Sequence, residues 1–214
     1  MFVSAANMEY NSLLEYGYDD DVMQLTGFAR FDGLLKKSQE IKAENTIMIS
    51  FTWRKNLANK IDKITGERIY NDQFKDSNYY KWINELLSNK ELHKALKKYN
   101  YKIRFIPHPN VIPQIDDFES NEFVDIVKST INYQEEFARN KLLITDYSSV
   151  FFDFGYLHKP IIYYQPDKEE FYEGQIYNKG YFEYENNGFG PVLEKNELLI
   201  KEIIKYIKND CKIE

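Results

Sequence analysis

The chain has 214 residues, enough for one sizeable domain or two small ones, and its 43% hydrophobic and 29% charged residues exclude a disordered chain. A net charge of −6 excludes a general nucleic-acid binder, which needs a basic surface, while leaving room for a local basic pocket that takes a phosphate. The lone cysteine, Cys211, cannot form an internal disulfide and points to a reducing compartment. No apolar run approaches the ~20 residues of a membrane span, and Met1-Phe2-Val3-Ser4 does not open a signal peptide.

In chain order, Phe2 to Ala5 reads as a short strand and Asn7 to Tyr16 as a helix. Val22 to Leu25 is a second strand leading into Thr26-Gly27-Phe28-Ala29-Arg30-Phe31-Asp32, and Phe31 to Leu35 begins a short helix. Thr46 to Phe51 is a strong strand signal that ends at Thr52-Trp53-Arg54. Residues 55–78 are polar and mixed, and read as an insertion or mobile loop. Tyr79 to Leu87 and Lys90 to Tyr99 are helices; Lys102 to Ile106 is a strand that stops at Pro107-His108-Pro109. Asn110 to Phe118 reads as loop, Glu122 to Ile126 as a strand and Tyr133 to Arg139 as a short helix. Leu142 to Ile144 and Pro160 to Tyr164 are further strands. Asn196 to Lys208 closes the chain as an amphipathic helix with Leu198, Leu199, Ile203, Ile204 and Ile207 on one face.

Strands alternating with helices indicate an α/β fold, a Rossmann-like parallel sheet covered on both faces. In such folds ligands bind beyond the carboxyl ends of the strands. Polar residues fall at four of those ends: Thr52 and Arg54, His108, Asp146 with Ser148 and Ser149, and Gln165 with Asp167. The most informative stretch is Leu142 to Phe154, an apolar strand, a polar turn and an apolar helix-length segment. Ser148 and Ser149 stand where that helix begins, where unpaired N–H groups and hydroxyls make a phosphate site. The bland alternative is that one serine merely caps the helix. His93 and His158 lie outside the cluster and read as structural, as do the Asp19-Asp20-Asp21 and Asp116-Asp117 runs. No metal-ligand spacing and no glycine-rich phosphate loop is present in the sequence, so no metal site is expected.

Thr26 to Asp32, Thr52-Trp53-Arg54, Pro107-His108-Pro109 and Thr145 to Asp153 occur in the order seen in the CDP-glycerol glycerophosphotransferases, the teichoic acid primases and polymerases, which this chain resembles over roughly residues 2–205. Gly180-Tyr181-Phe182 through Gly188-Phe189-Gly190-Pro191 is similar to that family's end. Phe28-Ala29 stands where the family commonly has Leu-Pro. The resemblance implies the C-terminal, donor-binding half of a glycosyltransferase-B architecture. Residues 1–214 then form a single nucleotide-donor-binding domain with its last helix at about 196–208, and the N-terminal acceptor domain is expected to be missing or separate.

The implied reaction moves glycerol phosphate from CDP-glycerol, the donor substrate, to a hydroxyl of a lipid-linked teichoic-acid-type acceptor, with no cofactor. His108 is the expected donor of a hydrogen bond or proton to the departing phosphate, since imidazole titrates near neutrality. Asp146 either orients His108, caps the turn or accepts from a ribose hydroxyl; Asp153 either binds ribose or pairs with a cation. Taken as helical, Asp146 and Asp153 stand two turns apart on one face. Ser148 and Ser149 hold the diphosphate, Arg54 and more weakly Arg30 clamp phosphate through the guanidinium fork, Thr52 lines the pocket, and Gln165 and Asp167 close its acceptor side. Residues 165–190 are expected to choose between CDP-glycerol and a related donor, CDP-ribitol or a nucleotide sugar. A different class of reading is a non-catalytic nucleotide-binding or partner module. No nucleic acid or transmembrane partner is expected. The location implied is cytoplasmic, peripheral at the inner face of the cell membrane.

Overall fold

The computed structural model describes residues 1–174 and 180–213. Its elements are β1 (Phe2–Ser4), α1 (Asn7–Glu15), β2 (Met23–Leu25), α2 (Arg30–Glu40), β3 (Thr46–Ile49), α3 (Asn78–Leu87) and α4 (Lys90–Tyr99). They continue with β4 (Lys102–Phe105), β5 (Val124–Ile126), α5 (Tyr133–Arg139), β6 (Leu142–Thr145), α6 (Val150–Tyr156) and β7 (Ile161–Tyr164). The last are α7 (Lys168–Gly174), α8 (Tyr184–Asn187), β8 (Val192–Leu193) and α9 (Asn196–Lys208).

Six strands form one parallel sheet in the order β5-β4-β3-β6-β7-β8. The chain runs outward from β3 through β4 to β5, returns to place β6 on the other side of β3, then runs outward again. This is the doubly wound order, with its switch point between β3 and β6. Every residue of β3, β6 and β7 is buried, as a sheet covered on both faces requires. Alternate side chains feed two cores. Ile47, Ile49, Leu142, Ile144, Ile162 and Tyr164 pack with buried residues of α3, α4 and α9. Met48, Leu143, Ile161 and Tyr163 pack with Leu34 of α2, Phe137 of α5 and Phe151 and Phe154 of α6.

Side-chain caps fix where several helices start. Ser77 accepts from the Tyr80 N–H at the head of α3, Asn89 from Leu92 at α4, and Asn132 from Gln134 and Glu135 at α5. Asn100 ends α4 at φ 57°, the left-handed conformation asparagine tolerates. His158, at φ 52°, follows α6 in the same way, and His93 sits against the Leu87 carbonyl at 2.7 Å.

The structure differs from the sequence expectations at several points. β1 and β2 form their own two-stranded parallel sheet, so the alternating strands make two sheets rather than one. The helix expected over Phe31 to Leu35 runs to Glu40; its polar second half is held by Lys37, which donates to Glu135 of α5 at 3.1 Å. Pro109–Asp117 is a 3₁₀ segment, not loop. The 55–78 segment carries 3₁₀ turns at Lys55–Leu57 and Phe74–Asp76 and an antiparallel bridge between Ile61 and Arg68. α7, α8 and β8 have no counterpart in the sequence reading, being short and polar-flanked. On α9 the buried face contains Ile200, while Leu198 is exposed. Among the described residues, no helix is long and apolar enough to cross a membrane.

The tail motif Gly188-Phe189-Gly190-Pro191 brings β8 onto β7. Pro191 O accepts the Tyr163 N–H at 2.9 Å, and a Cβ on Gly190 would lie 1.8 Å from the Ile161 carbonyl oxygen. Only glycine permits that approach. Gly190→Ala is expected to lower stability by at least about 2 kcal/mol, read from urea unfolding midpoints, because the obstructing atom is backbone and cannot rotate away.

Candidate functional site

The carboxyl ends of β3, β4, β6 and β7 lie on one edge of the sheet, and the sequence-predicted residues fall there in three groups. The first is a buried network at the switch point. Beyond β3 the backbone is extended at Arg54 (φ −109°, ψ 126°), and its side chain turns into the protein. Arg54 Nε donates to Asp167 Oδ2 at 2.6 Å, Nη2 to Asp167 Oδ1 and Asp146 Oδ2 at 3.0 Å each, and Nη1 to the Thr52 carbonyl at 2.5 Å. Asp146 also accepts the N–H groups of Thr52 and Tyr147, both at 2.7 Å. Gln165 Nε2 donates to the Asp146 carbonyl at 3.3 Å, leaving Gln165 Oε1 buried and unpaired among the described residues. The guanidinium lies 4.9 Å from the ring centres of Tyr79 and Phe171 and 5.4 Å from that of Tyr147.

Burial opposes the Arg54 charge, but Asp146 and Asp167 outweigh it and hold the guanidinium pKa above the usual value. Full burial pushes the Asp146 carboxyl above the ordinary carboxylate range, against the pull of Arg54 and the two N–H donors. Three N–H donors, from Arg54, Thr52 and Tyr147, favour its charged form. Arg54 is therefore not the open phosphate clamp expected from sequence: its donors are committed to two carboxylates and a carbonyl. Asp146 does not orient His108 either; its bonds run to Arg54, Thr52 and Tyr147.

The second group lies around the start of α6. Ser149 occupies the cap position without a capping hydrogen bond, and Ser148 Oγ has only a 3.5 Å approach from the Val150 N–H. Among the described residues Ser149 thus makes no capping bond, while the long Val150 N–H contact to Ser148 Oγ is of the capping kind. Arg30 forms a bidentate pair with Asp153, Nε to Oδ1 at 2.8 Å and Nη2 to Oδ2 at 3.1 Å. The Arg30 side chain is 50% exposed and that of Asp153 15%. Of the two roles weighed for Asp153, pairing with a cation is the one present. Asp146 lies before α6 begins, so it shares no helix face with Asp153. Arg30 and Ser149 open on a cleft of about 510 Å³ lined with aromatic rings, among them Phe28, Phe31, Phe152 and Phe189.

The third group is His108, at the end of β4. It heads the Pro109–Asp117 segment, and its Nδ1 accepts the Asn110 N–H at 3.1 Å. The ring stacks on Trp53, centres 6.1 Å apart and planes at 26°. Burial and the nearby Arg68 charge hold its pKa below the usual histidine value. Among the described residues, no hydrogen bond or ion pair joins His108 to either other group. Sequence reasoning missed Trp53 and Arg68, and the rings around Arg54. The abundance of 18 Tyr and 15 Phe was the available signal, and it did not say which rings matter. Residues 175–179, part of the stretch expected to select the donor, lie outside the described residues.

A doubly wound sheet with polar residues at its switch point defines a Rossmann-like α/β domain. The whole chain, residues 1–214, matches the family model described as CDP-Glycerol:Poly(glycerophosphate) glycerophosphotransferase, and it belongs to that family. It is 39% identical over its full length to the minor teichoic acid biosynthesis protein GgaB of Bacillus subtilis, covering 23% of that protein. It is 32% identical to a teichoic acid poly(glycerol phosphate) polymerase of Bacillus spizizenii, matching 84% of this chain and 44% of the polymerase. The chain thus spans less than half the length of either relative. Among solved structures, the wall teichoic acid polymerase TagF superposes on 98% of this chain and 50% of its own with a TM-score of 0.66 at 19% identity. A UDP-GlcNAc 2-epimerase of Methanocaldococcus jannaschii superposes with a TM-score of 0.58 at 17% identity, over 96% of this chain and 54% of its own.

The buried trio makes a firm prediction. Arg54→Met is expected to cost roughly 3–5 kcal/mol of stability, because Asp146 is left buried without its partner. Arg54→Lys will recover only part of it, since a point charge cannot fork to both carboxylates. Urea unfolding of both variants reads the difference.

Proposed function

We propose that this chain binds CDP-glycerol and supplies the donor half of glycerol phosphate transfer to a hydroxyl of a lipid-linked, teichoic-acid-type acceptor. The observation that carries this reading is the turn holding Ser148 and Ser149 at the switch-point end of β6, where Ser149 lines an aromatic cleft together with Arg30. The family membership supports the same donor, and a TagF variant has been soaked with CDPG. In this reading the serines and the neighbouring turn N–H groups hold the diphosphate, and Arg30 adds positive charge at the rim. The cleft's rings take the nucleoside face by stacking. Asp153 accepts from ribose hydroxyls once Arg30 turns to phosphate.

The acceptor oxygen attacks the phosphorus nearer glycerol, and the bond from that phosphorus to the bridging oxygen breaks. CMP leaves with the electron pair, and the acceptor's hydroxyl proton passes to a base. The resemblance assigns that base to the acceptor domain. CMP needs no proton to leave, because a phosphate monoester's second pKa is near 6. A neutral His108 donating from Nε2 is enough to stabilise the developing charge. A lipid-linked acceptor puts the reaction at a membrane surface.

Calorimetric titration with CDP-glycerol, CDP, CDP-ribitol and UDP-glucose tests the donor reading. CDP-glycerol should bind in preference to UDP-glucose. Ser148→Ala/Ser149→Ala should weaken it roughly 10–100-fold, the worth of losing one or two hydrogen bonds to a charged ligand. Unchanged affinity in the double variant, or no binding by folded wild-type protein, contradicts the proposal.

A further inference from the structure

The 55–78 segment delivers one charged side chain to the His108 loop. Asp62 Oδ1 accepts the N–H groups of Ile64 and Thr65 at 2.7 and 2.9 Å, and Gly66 turns at φ 73°. This tight turn brings Arg68 back opposite Ile61. Arg68 is then fixed twice: Nε donates to Asn110 Oδ1 at 2.7 Å and Nη1 to the Asn59 carbonyl at 2.7 Å. Its guanidinium lies 5.4 Å from the centre of a Trp53 ring, and Trp53 stacks on His108. Asn110 supplies both the side-chain acceptor for Arg68 and the backbone N–H for His108 Nδ1. Tyr70, in the same segment, donates to the Asp117 carboxylate at 3.0 Å and so ties it to the far end of the Pro109–Asp117 turn.

We propose that Arg68 and Trp53 are positioning residues for His108, holding its ring in one orientation and one protonation state. This rests on the reading of His108 as the group that meets the departing phosphate. The Asn110 N–H occupies Nδ1, so the neutral ring carries its proton on Nε2. A second proton at Nδ1 would have to displace that bond and form beside a fixed guanidinium. Both oppose it. Arg68 is the charged side chain bearing on the imidazole among the described residues, and Trp53 and Asn110 are neutral. The stack therefore keeps His108 a neutral N–H donor while adding positive potential where a phosphate arrives.

Histidine NMR tests this without any need for turnover. The chain has three histidines, and His108→Asn identifies the relevant signal. Wild-type His108 should titrate below an ordinary histidine and show the Nε2–H tautomer. Arg68→Gln should move its midpoint to higher pH, Trp53→Leu likewise, and Arg68→Lys should stay near wild type. If CDP-glycerol turns over with an added acceptor domain, the acid limb of kcat/KM should move the same way in Arg68→Gln. An unchanged midpoint in folded Arg68→Gln overturns the proposal. So does a wild-type midpoint at or above that of an ordinary histidine, a result that stands even if the variant does not fold. A shifted midpoint in a chain that binds no CDP-glycerol supports the stack and sinks only the donor reading.

Discussion

The structure depends on a guanidinium buried between two carboxylates. Arg54, Asp146 and Asp167 come from the loops after β3, β6 and β7, and none can be buried alone, because an unpaired interior charge costs several kcal/mol. The three loops are therefore obliged to meet. Their meeting point is the switch in strand order, where a doubly wound sheet leaves a crevice. Asp146 further takes the N–H groups of Thr52 and Tyr147, so the start of the Tyr147-Ser148-Ser149 turn is held at its backbone. In the proposed reading Arg54 offsets one of the two carboxylate charges, so an incoming diphosphate is repelled less than by two free anions.

Thr52-Trp53-Arg54 is the crosspiece of this arrangement. In extended backbone successive side chains point to opposite sides. Arg54 reaches toward Asp146 and Asp167, while Trp53 reaches toward His108 on the neighbouring strand end. One short segment thus sets the position of the serine turn and of the histidine at once, although no direct bond joins those two among the described residues. In the proposed reading the network fixes geometry, and the serines, His108 and an Arg30 released from Asp153 face the ligand.

Much of the fold was legible in the sequence because strand cores are continuous apolar runs and strand ends are polar. The expected strands Thr46 to Phe51, Leu142 to Ile144 and Pro160 to Tyr164 coincide with β3, β6 and β7 to within two residues at either end. The separate β1–β2 sheet was not, since strand pairing is decided by tertiary contacts that local pattern does not encode. The polar residues beyond the strand ends were legible as positions because they follow strands, but their bonding partners were not. Whether an arginine faces solvent or two carboxylates 92 and 113 residues away is invisible in a single sequence. Arg68 was the hardest, a cation in a polar stretch with no periodicity, placed only by the turn that returns it to Asn110.

A crystal structure of the chain with CDP-glycerol bound tests the central claim most directly. The account predicts diphosphate oxygens within hydrogen-bond distance of Ser148 and Ser149, with Arg54 still paired to Asp146 and Asp167. A diphosphate resting on Arg54, with either carboxylate displaced, would contradict it.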